Sequence, residues 1–201
     1  MSDSLNETLN PVSSINSDGL VIEYPYPPLK RVGVLREIIN SLFFIAVALI
    51  FSELALPRSS IDGPSMEPTL FTGQNLLISR LDYLFGEIKR GDIAVFDPPN
   101  AKEEMLIKRV IGIPGDTVEI RDQEVYLNGE KLLEPYFVNV PCTPIDCPNN
   151  SWTLGPNEYF FMGDNRNRSN DSRAFGPITR DRIVGRAVFR YWPLDKFGTV
   201  Y

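Results

Sequence analysis

Ser65 stands in Ile61-Asp62-Gly63-Pro64-Ser65-Met66-Glu67-Pro68-Thr69-Leu70, where two prolines and a glycine bracket a single serine. Proline fixes φ and glycine opens backbone conformations closed to other residues, so such a stretch holds its hydroxyl in a set orientation. A nucleophile gains from that, because orientation settled before attack lowers the barrier. Gly-Pro-Ser is equally the composition of an ordinary turn, so the chemistry needs a base to go with it. Histidine is not available, since the 201-residue chain contains none. Its absence excludes the Ser-His-Asp triad, the Cys-His dyad and the usual zinc hydrolases. Acid–base chemistry near neutral pH then requires another side chain whose pKa has been moved by its surroundings.

Lys108 is one candidate. It lies in Leu106-Ile107-Lys108-Arg109-Val110-Ile111-Gly112-Ile113-Pro114-Gly115-Asp116, and strand alternation there turns one of two adjacent cations inward. Lysine is almost never fully buried without a reason, although an edge strand with two solvated cations reads the same way. A third polar stretch is Gly163-Asp164-Asn165-Arg166-Asn167-Arg168-Ser169-Asn170-Asp171-Ser172-Arg173-Ala174-Phe175-Gly176. Its Asp, Asn, Ser and Arg residues suit a loop cross-linked by its own hydrogen bonds. A calcium loop fails, because Arg166 and Arg168 stand where oxygen ligands are needed.

The elements that must position these groups follow from the rest of the chain. Residues 1 to about 29 are polar and close with Tyr24-Pro25-Tyr26-Pro27-Pro28, and residues 1–37 read as a flexible cytoplasmic tail. Residues 38–56 (IINSLFFIAVALIFSELAL) carry Glu53 as their single charge. As a helix they reach about 28 Å, close to the thickness of a bilayer's hydrocarbon core. Lys30, Arg31 and Arg36 precede them, which favours a cytoplasmic N-terminus. A cleaved signal peptide is the competing reading, against which the run is preceded by a long stretch and ends in Pro57-Arg58. Beyond Pro57 short apolar runs recur at 75–79, 92–96, 105–111, 117–120, 124–127, 158–162 and 183–191, and Asn128-Gly129 marks a two-residue hairpin turn. Residues 57–201 therefore read as an all-β domain. The net charge of −6 argues against nucleic acid as a partner.

The Ser65, Lys108 and Asp164–Gly176 stretches, in this order behind one apolar segment, closely resemble the signature boxes of bacterial type I signal peptidases, the membrane-anchored Ser/Lys endopeptidases. The resemblance implies a mainly β fold: an antiparallel β-sheet catalytic domain of the signal peptidase and SOS-repressor protease type, preceded by one transmembrane helix. A small insertion region is expected at about 121–157. Ser65 takes the nucleophile position and Lys108 the general-base position. Ser169 matches the serine that hydrogen-bonds the lysine amine, Asp164 the acid paired with Arg109, and Asp171 with Arg173 a second structural ion pair. Ile61, Met66, Leu70, Leu106 and Ile107 align with pocket-lining positions for small residues before the scissile bond, and for Leu70 and Leu106 core packing is an equal reading. Phe71, Phe85 and Trp192 are candidates for an apolar rim resting on a bilayer. Gly63 stands where some members have a serine donating to the oxyanion, so only the Ser65 N–H carries over as a donor. No metal and no cofactor is implied; the implied partners are exported preproteins and the lipid bilayer.

An unperturbed lysine titrates near 10.4, and making it neutral at pH 7 costs roughly 5 kcal/mol. Burial can lower that pKa by about 3–5 units, and Ile107 and Met66 are plausible apolar neighbours. Cys142 and Cys147, between Pro141 and Pro148, suit a small disulfide loop on the oxidising side of a membrane, with two free thiols as the other reading. The implied location is a single-pass membrane protein with its catalytic domain on the periplasmic or otherwise extracytoplasmic side, or in the thylakoid lumen. A self-cleaving SOS-repressor-type protease or a non-enzymatic tethered β-domain are the alternatives. Cell fractionation separates the first of these: the chain should pellet with membranes and require detergent, not high salt, for release, whereas a soluble chain contradicts the anchored reading.

Overall fold

The structure, a computed structural model, describes residues 13–15, 19, 21–23, 33–99, 105–134 and 142–200. The chain divides into two compact units, Met1–Ala46 and Val47–Tyr201. Most of the tail expected over residues 1–37 lies outside the described residues. What is described of it is not wholly irregular: β1 (Ser13–Ile15) pairs antiparallel with β2 (Val21–Glu23).

The apolar run forms α1 (Val34–Ala55), which starts four residues before the expected segment. It is one helix long and apolar enough to cross a membrane. Its large apolar side chains, from Val34 to Leu54, are exposed rather than packed on a protein core.

Beyond α1 the fold is mainly antiparallel β. The strands are β3 (Arg58–Ser60), β4 (Asn75–Ser79), β5 (Ile93–Phe96), β6 (Leu106–Gly112), β7 (Thr117–Arg121), β8 (Glu124–Leu127), β9 (Glu130–Lys131), β10 (Asn150–Thr153), β11 (Glu158–Met162), β12 (Ile178–Thr179), β13 (Ile183–Trp192) and β14 (Gly198–Thr199). Two short helices, α2 (Leu81–Phe85) and α3 (Ser172–Phe175), interrupt them. The larger sheet runs β12-β11-β6-β5-β13-β4-β3, with β14 added to β13. The smaller sheet runs β10-β7-β8-β9; β8, β9 and β10 fall within residues 121–157, and β7 precedes them.

Composition explains where the strands sit. All four residues of β5 are buried, as a central strand covered on both faces requires. β6 lies between β5 and β11, and its last five residues are buried too. Strand alternation therefore does not sort its two cations into one inward and one outward: Lys108 and Arg109 are both buried, at 3% and 2% exposure. One apolar cluster holds Ile61, Met66, Leu70, Leu76, Ile93 and Val95, with Ile107 packed on it. Another holds Phe96, Val110, Phe161 and Ile178, with Leu106 on it, so both sides of the strand are dry.

The Asn128-Gly129 turn behaves as its sequence demands. Both residues have positive φ, 54° and 86°, and join Leu127 to Glu130 as a register pair. That is the left-handed pair a two-residue hairpin needs to match strand twist. In the larger sheet's core the Phe96 and Phe161 rings stack with centroids 4.4 Å apart. Phe161 has no exposed surface, so Phe161→Ala should lower unfolding free energy by about 3–5 kcal/mol, read as a reduced urea midpoint with an unchanged slope.

Candidate active site

The Ser65 turn is fastened to the core at both ends and in its middle. Ile61 N–H donates to the Gln74 carbonyl at 2.8 Å, and Gly73 N–H returns to the Ile61 carbonyl at 3.0 Å. Between them Met66 and Leu70 have no exposed surface, and Leu70 N–H donates to the Met66 carbonyl at 2.9 Å. Gly63 has φ +88°, a conformation that residues with a Cβ rarely adopt, and it turns the chain just before Ser65. Ser65 itself is half-buried.

Strand β6 delivers Lys108 to this turn. The Lys108 Nζ donates to Ser65 Oγ at 2.8 Å and to the Ile107 carbonyl at 2.9 Å. Burial lowers the amine from its ordinary value to about 8, although the charges of Asp171 and Asp164 pull the other way. Desolvation is the larger influence, and each of the two carboxylates is itself paired with an arginine. Asp164 is held by Arg109 through Nε at 2.8 Å and Nη2 at 2.7 Å, in a pair with both side chains almost fully buried. Asp171 is held by Arg173 through Nε and Nη2, each at 2.8 Å.

The two carboxylates also tie the polar loop to the Ser65 turn. Thr69 Oγ1 donates to Asp164 Oδ2 at 2.6 Å, and Asn165 N–H donates to the Ser65 carbonyl at 3.0 Å. Asp171 Oδ2 accepts from Gly163 N–H at 2.9 Å and from Ser169 Oγ at 2.7 Å. Farther along, the Arg166 guanidinium pairs with Glu134 and its Nε reaches the Gly163 carbonyl at 3.1 Å.

The structure thus gathers Ser65, Lys108, Arg109, Asp164, Ser169, Asp171 and Arg173 in one region, with two differences from expectation. Ser169 gives its hydroxyl proton to Asp171 and does not bond the lysine amine, whose two hydrogen-bond acceptors among the described residues are Ser65 and Ile107. A buried carboxylate two residues away is the stronger acceptor, so the hydroxyl turns to it. The expected pocket residues also divide. Ile61, Met66 and Leu70 are buried at 3% exposure or less and serve as the anchors of the turn rather than as an open lining. Leu106 and Ile107 are half-buried. Phe71, Phe85 and Trp192 are all exposed.

Thr69 lies within the Ser65 motif stretch, and nothing in its residue type signals the bond it makes to Asp164. Glu134 lies 32 residues from Arg166 and carries no sequence signal at all. Cys142 and Cys147 are joined as a disulfide. Among the described residues no cluster of three or more acidic or thiol side chains is arranged to hold a metal ion.

Residues 35–192 match the family model described as signal peptidase, peptidase S26. The signal peptidase IB of Staphylococcus aureus (strain COL) is 35% identical over 180 residues, covering 81% of this chain and 93% of its own length. The probable signal peptidase I-2 of a Synechocystis strain is 37% identical over 146 residues, covering 69% of this chain and 64% of its own length. The crystal structure of a signal peptidase I from Enterococcus faecalis V583 is 33% identical, with a TM-score of 0.43, and covers 50% of this chain and 96% of that one.

The close approach at Gly163 generates a test. A Cβ there would collide with Ser169 Oγ and lie 2.5 Å from the Ser65 carbonyl oxygen. Gly163→Ala should therefore leave the chain folded by circular dichroism while lowering kcat/KM for peptide cleavage by about 10²-fold. Unchanged cleavage would mean that this contact does not set the geometry of Ser65.

Proposed function

The chain belongs to the signal peptidase family, peptidase S26, and from that premise we propose that Ser65 is its nucleophile and Lys108 its general base. Its activity is that of a signal peptidase, acting on preproteins that carry signal peptides. The observation that carries the residue assignment is a buried amine with lowered pKa donating at 2.8 Å to a serine hydroxyl.

In the free-base form Lys108 accepts the Ser65 Oγ proton as Oγ attacks the carbonyl carbon of the scissile peptide. The tetrahedral oxyanion falls to the Ser65 N–H, which donates to no acceptor among the described residues. A preorganised donor of this kind stabilises the transition state by about 2.7–4 kcal/mol. Collapse breaks the C–N bond while the Lys108 ammonium gives its proton to the leaving amine. Water then attacks the acyl-serine ester, Lys108 takes a proton from it, and returning that proton to Ser65 Oγ restores the resting pair. With its pKa near 8, freeing the amine at pH 7 requires roughly 1 kcal/mol instead of the roughly 5 of an unperturbed lysine.

The neighbouring groups have supporting parts in this reading. Asp164 with Arg109 and Thr69 fixes the Ser65 turn against β6, and Ser169 with Asp171 fixes the loop beside it. Leu106 and Ile107 are the half-buried apolar residues next to the base that suit a small side chain of the substrate. Helix α1 serves as a single membrane anchor, with the basic flank Lys30, Arg31 and Arg36 on the cytoplasmic side and the catalytic unit on the extracytoplasmic side. The Cys142–Cys147 disulfide favours the same sidedness, because disulfides persist in oxidising compartments. The exposed Phe71, Phe85 and Trp192 suit contact with the membrane surface.

Cleavage of a preprotein by wild-type, Ser65→Ala, Lys108→Ala and Lys108→Arg chains tests the dyad. Ser65→Ala should abolish turnover, and both lysine variants should lose at least about 10²–10⁴-fold, arginine being permanently protonated. In the wild type kcat/KM should rise tenfold per pH unit below about 8 and then level, because only the neutral amine is active. An active Lys108→Ala chain, or a rising limb centred near 10.4, contradicts the assignment.

A further inference from the structure

The loop that carries Asp164 and Asp171 is gripped from outside by a segment with no part in the three motifs. Glu134 pairs with Arg166 on that loop. Thr143 N–H donates to Asn167 Oδ1 at 2.9 Å. The Arg173 Nη1 donates to the Asp146 carbonyl at 2.9 Å and lies 3.1 Å from Cys147 Sγ and 3.5 Å from Cys142 Sγ. The disulfide closes residues 142–147 into a single turn, with Cys147 N–H donating to the Thr143 carbonyl at 2.8 Å. Both half-cystines are buried in the apolar cluster beneath the smaller sheet. The loop is thus built into the core on one side and presents a carbonyl and two sulfurs to one guanidinium on the other.

That guanidinium donates through Nε and Nη2 to Asp171, with Nη2 also reaching the Ser169 carbonyl at 3.4 Å; Asp171 has no exposed surface, and its charge acts on Lys108. We propose that the disulfide loop Cys142–Cys147 and Arg173 position Asp171, and thereby set the protonation balance of the base in the peptidase reaction. They act through other groups and touch neither nucleophile nor base, so they are positioning residues. The role rests on the Ser65–Lys108 reading above.

The charges acting on the amine come from Asp171 and Asp164 in the 163–173 loop. Strand β5 opposes it with Ala94, which does not titrate. The Ser65 turn carries Asp62, which is exposed, and Glu67, which is half-buried. Asp164 is compensated by Arg109 from β6 itself, independently of the disulfide loop. Asp171 depends on Arg173, whose outer edge has its acceptors in the disulfide loop. Opening the disulfide removes the frame that aims Arg173. Asp171 then keeps its bonds from Gly163 and Ser169 but faces Lys108 with less of its charge offset. An anion so placed favours the ammonium, so the amine pKa rises and less free base is present at neutral pH.

A disulfide that merely stabilised the fold would lower activity equally at every pH, which makes the two roles separable. The test compares pH profiles of preprotein cleavage by the detergent-solubilised full chain. Its forms are the oxidised wild type, the wild type reduced with dithiothreitol, the Cys142→Ser/Cys147→Ser double variant and Arg173→Lys. The rising limb should move up by about one pH unit in the last three, with about tenfold slower cleavage below it and near-complete recovery by about pH 10. Reoxidation of the reduced wild type should return the limb to its starting position. If the double variant does not fold, reduction of the folded wild type still decides the question. An unmoved limb, or a loss of the same size at all pH values, overturns the proposal. Lys108→Ala in the same assay keeps the two failures apart: if it cleaves, the base assignment falls first. If it is dead while the limb stays put, the positioning role alone falls.

Discussion

The site depends on keeping one amine dry without giving it an ion-pair partner of its own. Lys108 is 3% exposed, and among the described residues its hydrogen bonds go to a hydroxyl and a carbonyl, both neutral. A lysine paired directly with a carboxylate would stay protonated and could not accept a proton. A lysine in a purely apolar hole would leave three donors unsatisfied, which is costly in a dry interior. The arrangement here lies between these limits. Two carboxylates are near enough to act on the amine, but each is bound by two nitrogens of an arginine. Burial is then the larger influence, and it moves the pKa toward the range in which a base works.

The fold supplies this environment through the position of one strand. β6 runs through the middle of the larger sheet, between β5 and β11, and its last five residues, on both faces, are buried. That is why adjacent residues of opposite orientation, Lys108 and Arg109, are both buried. Arg109 bonds the Gly91 carbonyl at 2.7 Å as well as Asp164, which locks the strand to the β5 entry and to the polar loop together. Removing one member of such a buried pair leaves an uncompensated charge and costs about 3–5 kcal/mol. The scaffold residues and the reacting residues therefore share one network, which reaches the Ser65 turn through Thr69 and through the Asn165 N–H on the Ser65 carbonyl.

Much of this was legible in the sequence, for identifiable reasons. The β class followed from apolar runs of strand length, and the β8–β9 turn from Asn128-Gly129, whose residue types tolerate positive φ. The β7–β8 turn was not legible, although Asp122 and Gln123 adopt the same left-handed conformation with φ of 51° and 68°. Without a glycine they carry no strong signal, and the strand pairing around them imposes the turn instead. The members of the motif boxes could be named because each box is local in sequence. Contacts between distant segments could not. Glu134 on Arg166 and Asp146 on Arg173 join residues 27–32 positions apart, and no residue type at either end announces the other. Met66 and Leu70 are apolar whether they line a cleft or anchor a turn, so their sequence leaves both readings open, and their full burial is a property of the fold alone.

The distribution of cations around the site completes the physical account of how a chain without histidine can localise a proton. Arg109, Arg166 and Arg173 occupy the buried structural positions, each against a carboxylate. Arginine does not lose its proton in a protein, so none of the three competes as an acceptor. Lysine differs from arginine in that desolvation can bring its pKa within reach of neutrality, and the one lysine in the network is the residue bonded to Ser65. Arginine in place of Lys108 would exchange a titratable charge for a permanent one, and lysine in place of Arg109 or Arg173 would do the reverse. The network works because those two kinds of cation are not interchangeable.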